Sequence, residues 1–421
     1  MMLSLHYNEQ NRLTLENVEF SQLVSEYRTP FYVYSTNEIK RNCQLVHEIG
    51  AGFDLNPCYA LKANYNPSLV KMIHRYGFGA DVVSGGELTF ALKCGVPQEQ
   101  IVFAGVGKTT DELEMAIKLG IHSINVESES ELTRIADIAR RLQKSVAIAI
   151  RINPDIDPET HPYISTGLHT NKFGIAREAA IALFQKASTY EFINPSGLHV
   201  HIGSQIASND PYLQTARFLL DVIKELKTFK IPIHFVDLGG GIGINYDNQI
   251  DDGSGSLTYL TRILPSLLAP FKQLGLELFI ELGRSIVGSA GFLVTQIQYI
   301  KTTPAKKFLI VDAAMNNLIR PSLYQAYHQI VPLHKSAQTT GKVDIVGPVC
   351  ETSDYFARDR SLPAVREGDY LVITGAGAYG QALGSNYNLR PMIPEYLVDN
   401  GSVSTIFPGE TIEQISARYS W

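Results

Sequence analysis

Residues 56–126 read NPCYALKANYNPSLVKMIHRYGFGADVVSGGELTFALKCGVPQEQIVFAGVGKTTDELEMAIKLGIHSINV, and their rhythm decides the fold. Short apolar runs at Cys58–Leu61, Ala80–Val83, Ile101–Ala104 and Ser123–Val126 have the length of buried strands. Between them, Pro67–Tyr76, Glu87–Cys94 and Asp111–Leu119 carry apolar residues at helical spacing. The alternation continues. Strands are predicted at Val146–Ile152, Gly197–His201, Phe235–Leu238 and Leu276–Ile280, and helices at Glu129–Leu142, Arg177–Ser188, Pro211–Phe229 and Leu257–Leu274. A further helix, Thr36–Ile49, precedes the first strand. Strands alternating with helices imply a parallel sheet. Eight of each favour a closed (β/α)8 barrel over an open doubly wound sheet.

Past Ser285 the rhythm changes. GFLVTQIQYI, KFLIVDAA, KVDIVG and DYLVIT are β-rich and leave little room for helices between them. The α/β barrel is therefore expected over residues 36–284. A second, mainly β domain is expected from residues 1–35, which include RTPFYVYS, together with 285–421.

A chain of 421 residues suits two domains, and 45% hydrophobic with 19% charged residues is ordinary for a globular protein. The net charge of −6 without a basic block argues against nucleic acid as a partner. No apolar run is long enough to span a bilayer, and MMLSLHYNEQ does not read as a secretory signal. Four scattered cysteines, Cys43, Cys58, Cys94 and Cys350, form no CxxC pair, so the expected compartment is the cytoplasm.

In such a barrel, chemistry sits at the C-terminal ends of the strands. Lys62 follows the first strand, Ser84–Gly86 the second, and His201, Gly203 and Ser204 the sixth. Gly239–Gly243 follow the seventh, and Glu281, Gly283 and Arg284 the eighth. Each residue alone has a plain reading. Lys62 is either a snorkelling surface lysine or a desolvated amine able to attack an aldehyde. Gly239, Gly240 and Gly241 form either a flexible turn or a set of backbone N–H groups for a phosphate. Glu281 either pairs with a neighbouring base or keeps a cofactor's ring nitrogen protonated. His199 and His201, two apart on a strand, share a face. No third metal ligand is evident beside them, so no metal is expected; a core role, or stacking against a planar cofactor, remains. GVGKT at Gly105–Thr109 lacks the first glycine of a phosphate loop, because Val102 stands there. GAGAYG at Gly375–Gly380 fits GxGxxG but has no βαβ unit after it.

The motifs YALKAN, DVVSGGEL, HVHIGSQ, LGGGIGI, ELGR, RPSLYQAYH, GPVCETSD and GAYGQALGSNYN follow one another along residues 29–396. In that order they resemble the diaminopimelate decarboxylase family, part of the alanine-racemase-like, fold-type III class of pyridoxal 5'-phosphate enzymes. The resemblance implies a homodimer with shared active sites that decarboxylates meso-2,6-diaminopimelate to L-lysine, the last step of lysine biosynthesis. It implies that Lys62 holds the cofactor covalently, His201 stacks on its ring and Glu281 pairs with the ring nitrogen. Ser204, Gly239, Gly240, Gly241, Gly283 and Arg284 would hold the phosphate, with Tyr379 touching it. Arg284 and Arg320 would bind substrate carboxylates, beside Tyr324 and Tyr379. Cys350, as proton donor, and Glu351, as partner of the distal ammonium, would reach in from the other subunit. One departure is Leu282, where the family carries proline; it restores a backbone N–H and frees φ. The competing expectations are a decarboxylase of ornithine, lysine, arginine or carboxynorspermidine, a racemase, and a catalytically silent relative.

Overall fold

The computed structural model describes residues 5–157, 166–167, 171–247, 250 and 257–420. The chain forms two compact units. One comprises Cys43–Gly243 and Leu257–Ser285; the other takes the chain up to Asn42, a short segment beginning at Ile244, and everything from Ile286 onward. The chain thus leaves the first unit after Gly243 and returns at Leu257, an excursion that the regular strand–helix rhythm does not announce.

The first unit is a closed barrel of eight strands: β1 (Leu55–Ala60), β2 (Gly79–Val82), β3 (Ile101–Phe103), β4 (Ser123–Val126), β5 (Val146–Arg151), β6 (Ile193–His199), β7 (Phe235–Gly240) and β8 (Glu277–Leu282). Each strand pairs in parallel with its sequence neighbours, and β8 closes on β1. Helices return the chain between strands and begin where local chemistry favours a start. Asn66 caps Pro67–Arg75 through the amide of Ser68, and Ser84 caps Gly85–Lys93 through that of Glu87. Thr109 and Glu112 form a reciprocal capping box at Thr110–Leu119.

Inside the barrel, Cys58, Val102, Ala149, Phe235 and Phe279 form an apolar layer. Asp237 and Glu281 lie two residues beyond Phe235 and Phe279 on the same strands. A strand alternates its faces, so both acids also point inward, one step nearer the C-terminal mouth. The apolar layer closes the barrel below and leaves a polar layer above it.

In the second unit, nine strands form one sheet. Its long member, Gly291–Thr302, pairs near its start with Phe31–Ser35 on one side and Tyr370–Ile373 on the other, then continues against Lys307–Val311. Phe31–Ser35 also pairs in parallel with Glu395–Asp399. Phe20, Phe31, Phe292, Val294, Val372 and Val398 are among the buried residues of its core. Among the described residues, no helix is long and apolar enough to cross a membrane.

Candidate active site

Lys62 lies in a single 3-10 turn, Leu61–Ala63, immediately after β1. Its Nζ is 2.6 Å from Oδ2 of Asp81, which is wholly buried on β2. The amine is thus tied to the barrel interior, which a snorkelling surface lysine would not be. Burial, then the charge of Glu281, push the Asp81 carboxyl up to about 6, against the pull of Lys62. Its Oδ1 has no hydrogen-bond partner among the described residues.

Glu281 is buried near the end of β8, in register with Cys58 on β1. Its Oε1 lies 3.3 Å from Nε2 of His199, and its Oε2 lies 3.5 Å from Nδ1 of His201. Burial opposes its ionisation, but His199 foremost, then His201 and Lys62, hold Glu281 well below the usual carboxylate range. Asp237 behaves oppositely: burial and then the charge of Glu281 push it well above that range. Two carboxylates this close in a low dielectric do not both ionise, and the histidine's side of the site keeps the charge on Glu281. Asp237 accepts from the Gly239 amide at 2.9 Å and from the Asn125 side chain at 3.4 Å.

One sequence expectation changes here. Strand β6 ends at His199, so His201 lies beyond the strand rather than on it. Further metal-ligand types also stand beside the histidine: the fold brings Asp237 and Glu281 to His199, with one ligand atom from each within 4.8 Å of the others.

The glycine run differs too. Gly239 and Gly240 belong to β7 itself. Their N–H groups donate to Asp237 and to His201 Nδ1 (3.1 Å), so neither is bare. Gly241, among the described residues, has no such acceptor. A Cβ on Gly240 would stand 1.9 Å from the Glu281 carbonyl oxygen, so close strand approach requires glycine there. Nearby, Arg284 is buried and donates to the Ser204 hydroxyl at 2.9 Å. Gly283 packs against Ala60 and Ala63, at the turn that carries Lys62. Leu282 remains in β8, in register with Tyr59, so the residue replacing proline extends the strand. Ser84–Gly86 serve as a helix start. Lys108 of GVGKT turns inward to the Gly105 and Asn125 carbonyls and to Glu131 at 2.8 Å.

In the second unit, Arg320 is buried, with Nη1 2.7 Å from Nε2 of His328 and its guanidinium 4.6 Å from the centre of the Tyr246 ring. His328 Nδ1 donates to the Thr374 carbonyl at 2.8 Å, which leaves Nε2 as acceptor for the arginine. Tyr324 ends the same short helix and is half-buried. Cys350 and Glu351 are exposed. The Cys350 amide donates to Asn388 at 3.0 Å, and Ser353 donates to Glu351. Tyr379 takes a left-handed φ of 56°. Glycines of GAGAYG pack tightly against backbone, with a Cβ on Gly377 falling 1.9 Å from the Val287 carbonyl oxygen; this is packing, not a nucleotide loop.

Asp81, Asp237, Asn125 and His328 escaped the sequence reading. The available signal was a polar residue inside an otherwise apolar strand, as in GADVV and HFVDLGG, because a buried acid needs a partner.

The barrel mouth therefore offers an amine held by one buried acid, an ionised acid on the adjacent strand, and a cation with a hydroxyl at the rim. Residues 32–288 match the family model described as pyridoxal-dependent decarboxylase, pyridoxal binding domain. The fold and this match define a pyridoxal-phosphate decarboxylase of the barrel class. The chain is 44% identical to the diaminopimelate decarboxylase of Aquifex aeolicus, over 98% of this chain and 96% of that one. It is 40% identical to that of Vibrio cholerae, over 99% and 98%. It also superimposes on the crystal structure of the Helicobacter pylori diaminopimelate decarboxylase complexed with L-lysine, with a TM-score of 0.89, 40% identity, and 95% and 98% coverage. The chain belongs to the diaminopimelate decarboxylase family.

Proposed function

We propose that this chain decarboxylates meso-2,6-diaminopimelate to L-lysine, with pyridoxal phosphate bound at the barrel mouth and Lys62 as its covalent lysine. The observation that carries this is the placement of Lys62, held by Asp81 just after β1, beside the adjoining β8 that carries ionised Glu281. The side chains suit the cofactor part by part. Lys62 suits its aldehyde. Glu281, whose Oε1 lacks a hydrogen bond among the described residues, suits a protonated ring nitrogen. Arg284, Ser204 and the Gly241 amide suit its phosphate, with Gly283 giving room and Tyr379 adding a hydroxyl. Gly239 and Gly240 serve through close packing rather than through their N–H groups.

When bound, pyridoxal phosphate supplies an electron sink for the pair left as carbon dioxide departs. Lys62 must shed a proton before it can act as a nucleophile, and Asp81, at 2.6 Å, is placed to receive it. His201 is pushed down to about 4, chiefly by burial, and presents a neutral flat ring for stacking. Arg284 and Arg320 bind the substrate carboxylates, beside Tyr324. Arg320 suits this because His328 and Tyr246 fix its guanidinium. Cys350 of the partner subunit returns a proton to the α-carbon, and Glu351 of the partner subunit accepts from the distal ammonium. Their exposure supports completion of the site by a homodimer. We place the enzyme in the cytoplasm. A substrate with only one carboxylate would forgo one of the two arginine contacts, which disfavours ornithine, lysine and arginine.

Incubation of the purified protein with pyridoxal phosphate and meso-diaminopimelate should yield lysine and carbon dioxide, measured by mass spectrometry. Lys62→Ala should abolish both the product and the visible absorbance band of the bound cofactor. Release of carbon dioxide from ornithine or lysine in preference to diaminopimelate would overturn the substrate assignment.

A further inference from the structure

Glu281 has two histidine nitrogens near it, and they are not equivalent. His201 Nδ1 already accepts the Gly240 N–H at 3.1 Å. In the neutral ring its proton is therefore on Nε2, and Nδ1 presents only a lone pair toward Glu281 Oε2 at 3.5 Å. Lone pair facing carboxylate is no hydrogen bond. His199 is different: it is 1% exposed, and its Nε2 stands 3.3 Å from Oε1. Neither of its ring nitrogens makes a hydrogen bond among the described residues, so Nε2 stands beside Oε1 at contact distance as an unused donor. A buried imidazole without other engagements, aimed at a buried carboxylate, needs an explanation.

We propose that His199 is the positioning residue that keeps Glu281 a carboxylate oriented toward the cofactor's ring nitrogen, while His201 contributes only its ring face. The proposal rests on the pairing of Glu281 with that nitrogen. One proton lies between the two groups. A donor on the carboxylate stabilises the ion pair over the neutral pair and so leaves the proton on nitrogen. Around His199 the charged and titratable groups are Glu281, Asp237, Asp81 with Lys62, His201, and the Glu127–Arg151 pair at 2.7 Å. Asp237, the other acid at this point, is a carboxyl and brings no imidazole N–H to Glu281. As the acid that stays protonated, it holds down the total negative charge.

The test is nitrogen-15 NMR of holoenzyme reconstituted with ring-labelled pyridoxal phosphate. Wild type should show a protonated ring nitrogen at neutral pH. His199→Phe should move the resonance most of the way to the unprotonated position, while His199→Gln, which keeps a neutral donor at similar reach, should move it less. An unmoved resonance in His199→Phe, with Glu281→Gln moving it, would overturn the role of His199 alone. An unmoved resonance in Glu281→Gln would overturn the underlying pairing. If His199→Phe does not fold, an unmoved resonance in His199→Ala bound to the same cofactor decides against the proposal. A stoichiometric metal ion in the purified holoenzyme, released by His199→Gln, would also overturn it, since His199 and Glu281 would then be ligands.

Discussion

Replacing Gly240 by alanine would place a methyl carbon 1.9 Å from the carbonyl oxygen of Glu281 on the neighbouring strand. Carbon and oxygen rest no closer than about 3.3 Å, so β7 and β8 would have to part by roughly 1.4 Å at this point. Both atoms are backbone within a closed barrel, and neither can rotate away. The loss should be on the order of 3 kcal/mol, the upper part of the range for overpacking. In thermal terms that is a fall of roughly 6–12 °C. The same parting displaces Glu281 and the Gly240–His201 hydrogen bond, and a misplacement of ~1 Å costs ~100-fold in rate. Gly52 is the matched control: it is exposed, has φ +89°, and a Cβ there meets nothing within 4 Å. Gly52→Ala should cost only about 1–2 kcal/mol of backbone strain and leave turnover intact. Calorimetry and kcat/KM for the two variants would decide. A Gly240→Ala enzyme as stable and as fast as Gly52→Ala would refute the argument that strand contact positions the carboxylate.

Arg320→Ala should lower kcat/KM for diaminopimelate by ~100-fold, about 3 kcal/mol, in steady-state assays. Arg320→Lys should not restore it, because an ammonium cannot meet both His328 and a carboxylate in the arginine's plane. Glu87, raised to about 7 first by its burial, accepts from the Val83 amide. The native state then binds more protons than the unfolded one between about pH 4.5 and about pH 7, so stability falls as pH rises through that window. Glu87→Gln should remove up to about 3 kcal/mol of that fall, seen by urea unfolding at about pH 5 and about pH 8. If Cys350 completes the partner's site, mixing inactive Lys62→Ala with inactive Cys350→Ala should recover roughly a quarter of wild-type activity through hybrid dimers. No recovery after subunit exchange would argue for sites built from one chain.

The barrel was legible because its signal is local. Ser123–Val126 and Glu129–Leu142 occupy the bounds that periodicity predicts, and the other barrel elements shift by only a few residues. The places of Lys62, Glu281 and Arg284 at the mouth of the barrel were legible because strand ends can be located in a barrel. What was not legible depends on contacts between strands. Asp81 is 19 residues from Lys62, and nothing local marks it as the amine's partner. The Gly239 and Gly240 amides look available until the fold supplies acceptors from their own strand and from the loop after β6. Two histidines spaced by two look alike in sequence; the end of β6 at His199 and the Gly240 hydrogen bond to His201 distinguish them. Leu282 stands where the family carries proline, and its register with Tyr59 shows a strand that continues through it.

The strand Phe31–Ser35 has one flanking neighbour at Gly291–Thr302 and the other at Glu395–Asp399. During synthesis, a segment made among the first must therefore wait with both edges bare until Gly291–Thr302 has emerged, and with one edge bare until nearly the whole chain has. Its five residues are all buried in the finished sheet, so in that interval it is a strand-shaped, largely apolar template open to any other chain. Translation pauses or truncations that remove Glu395–Asp399 should therefore appear first as insoluble product, before any effect on the chemistry of the barrel.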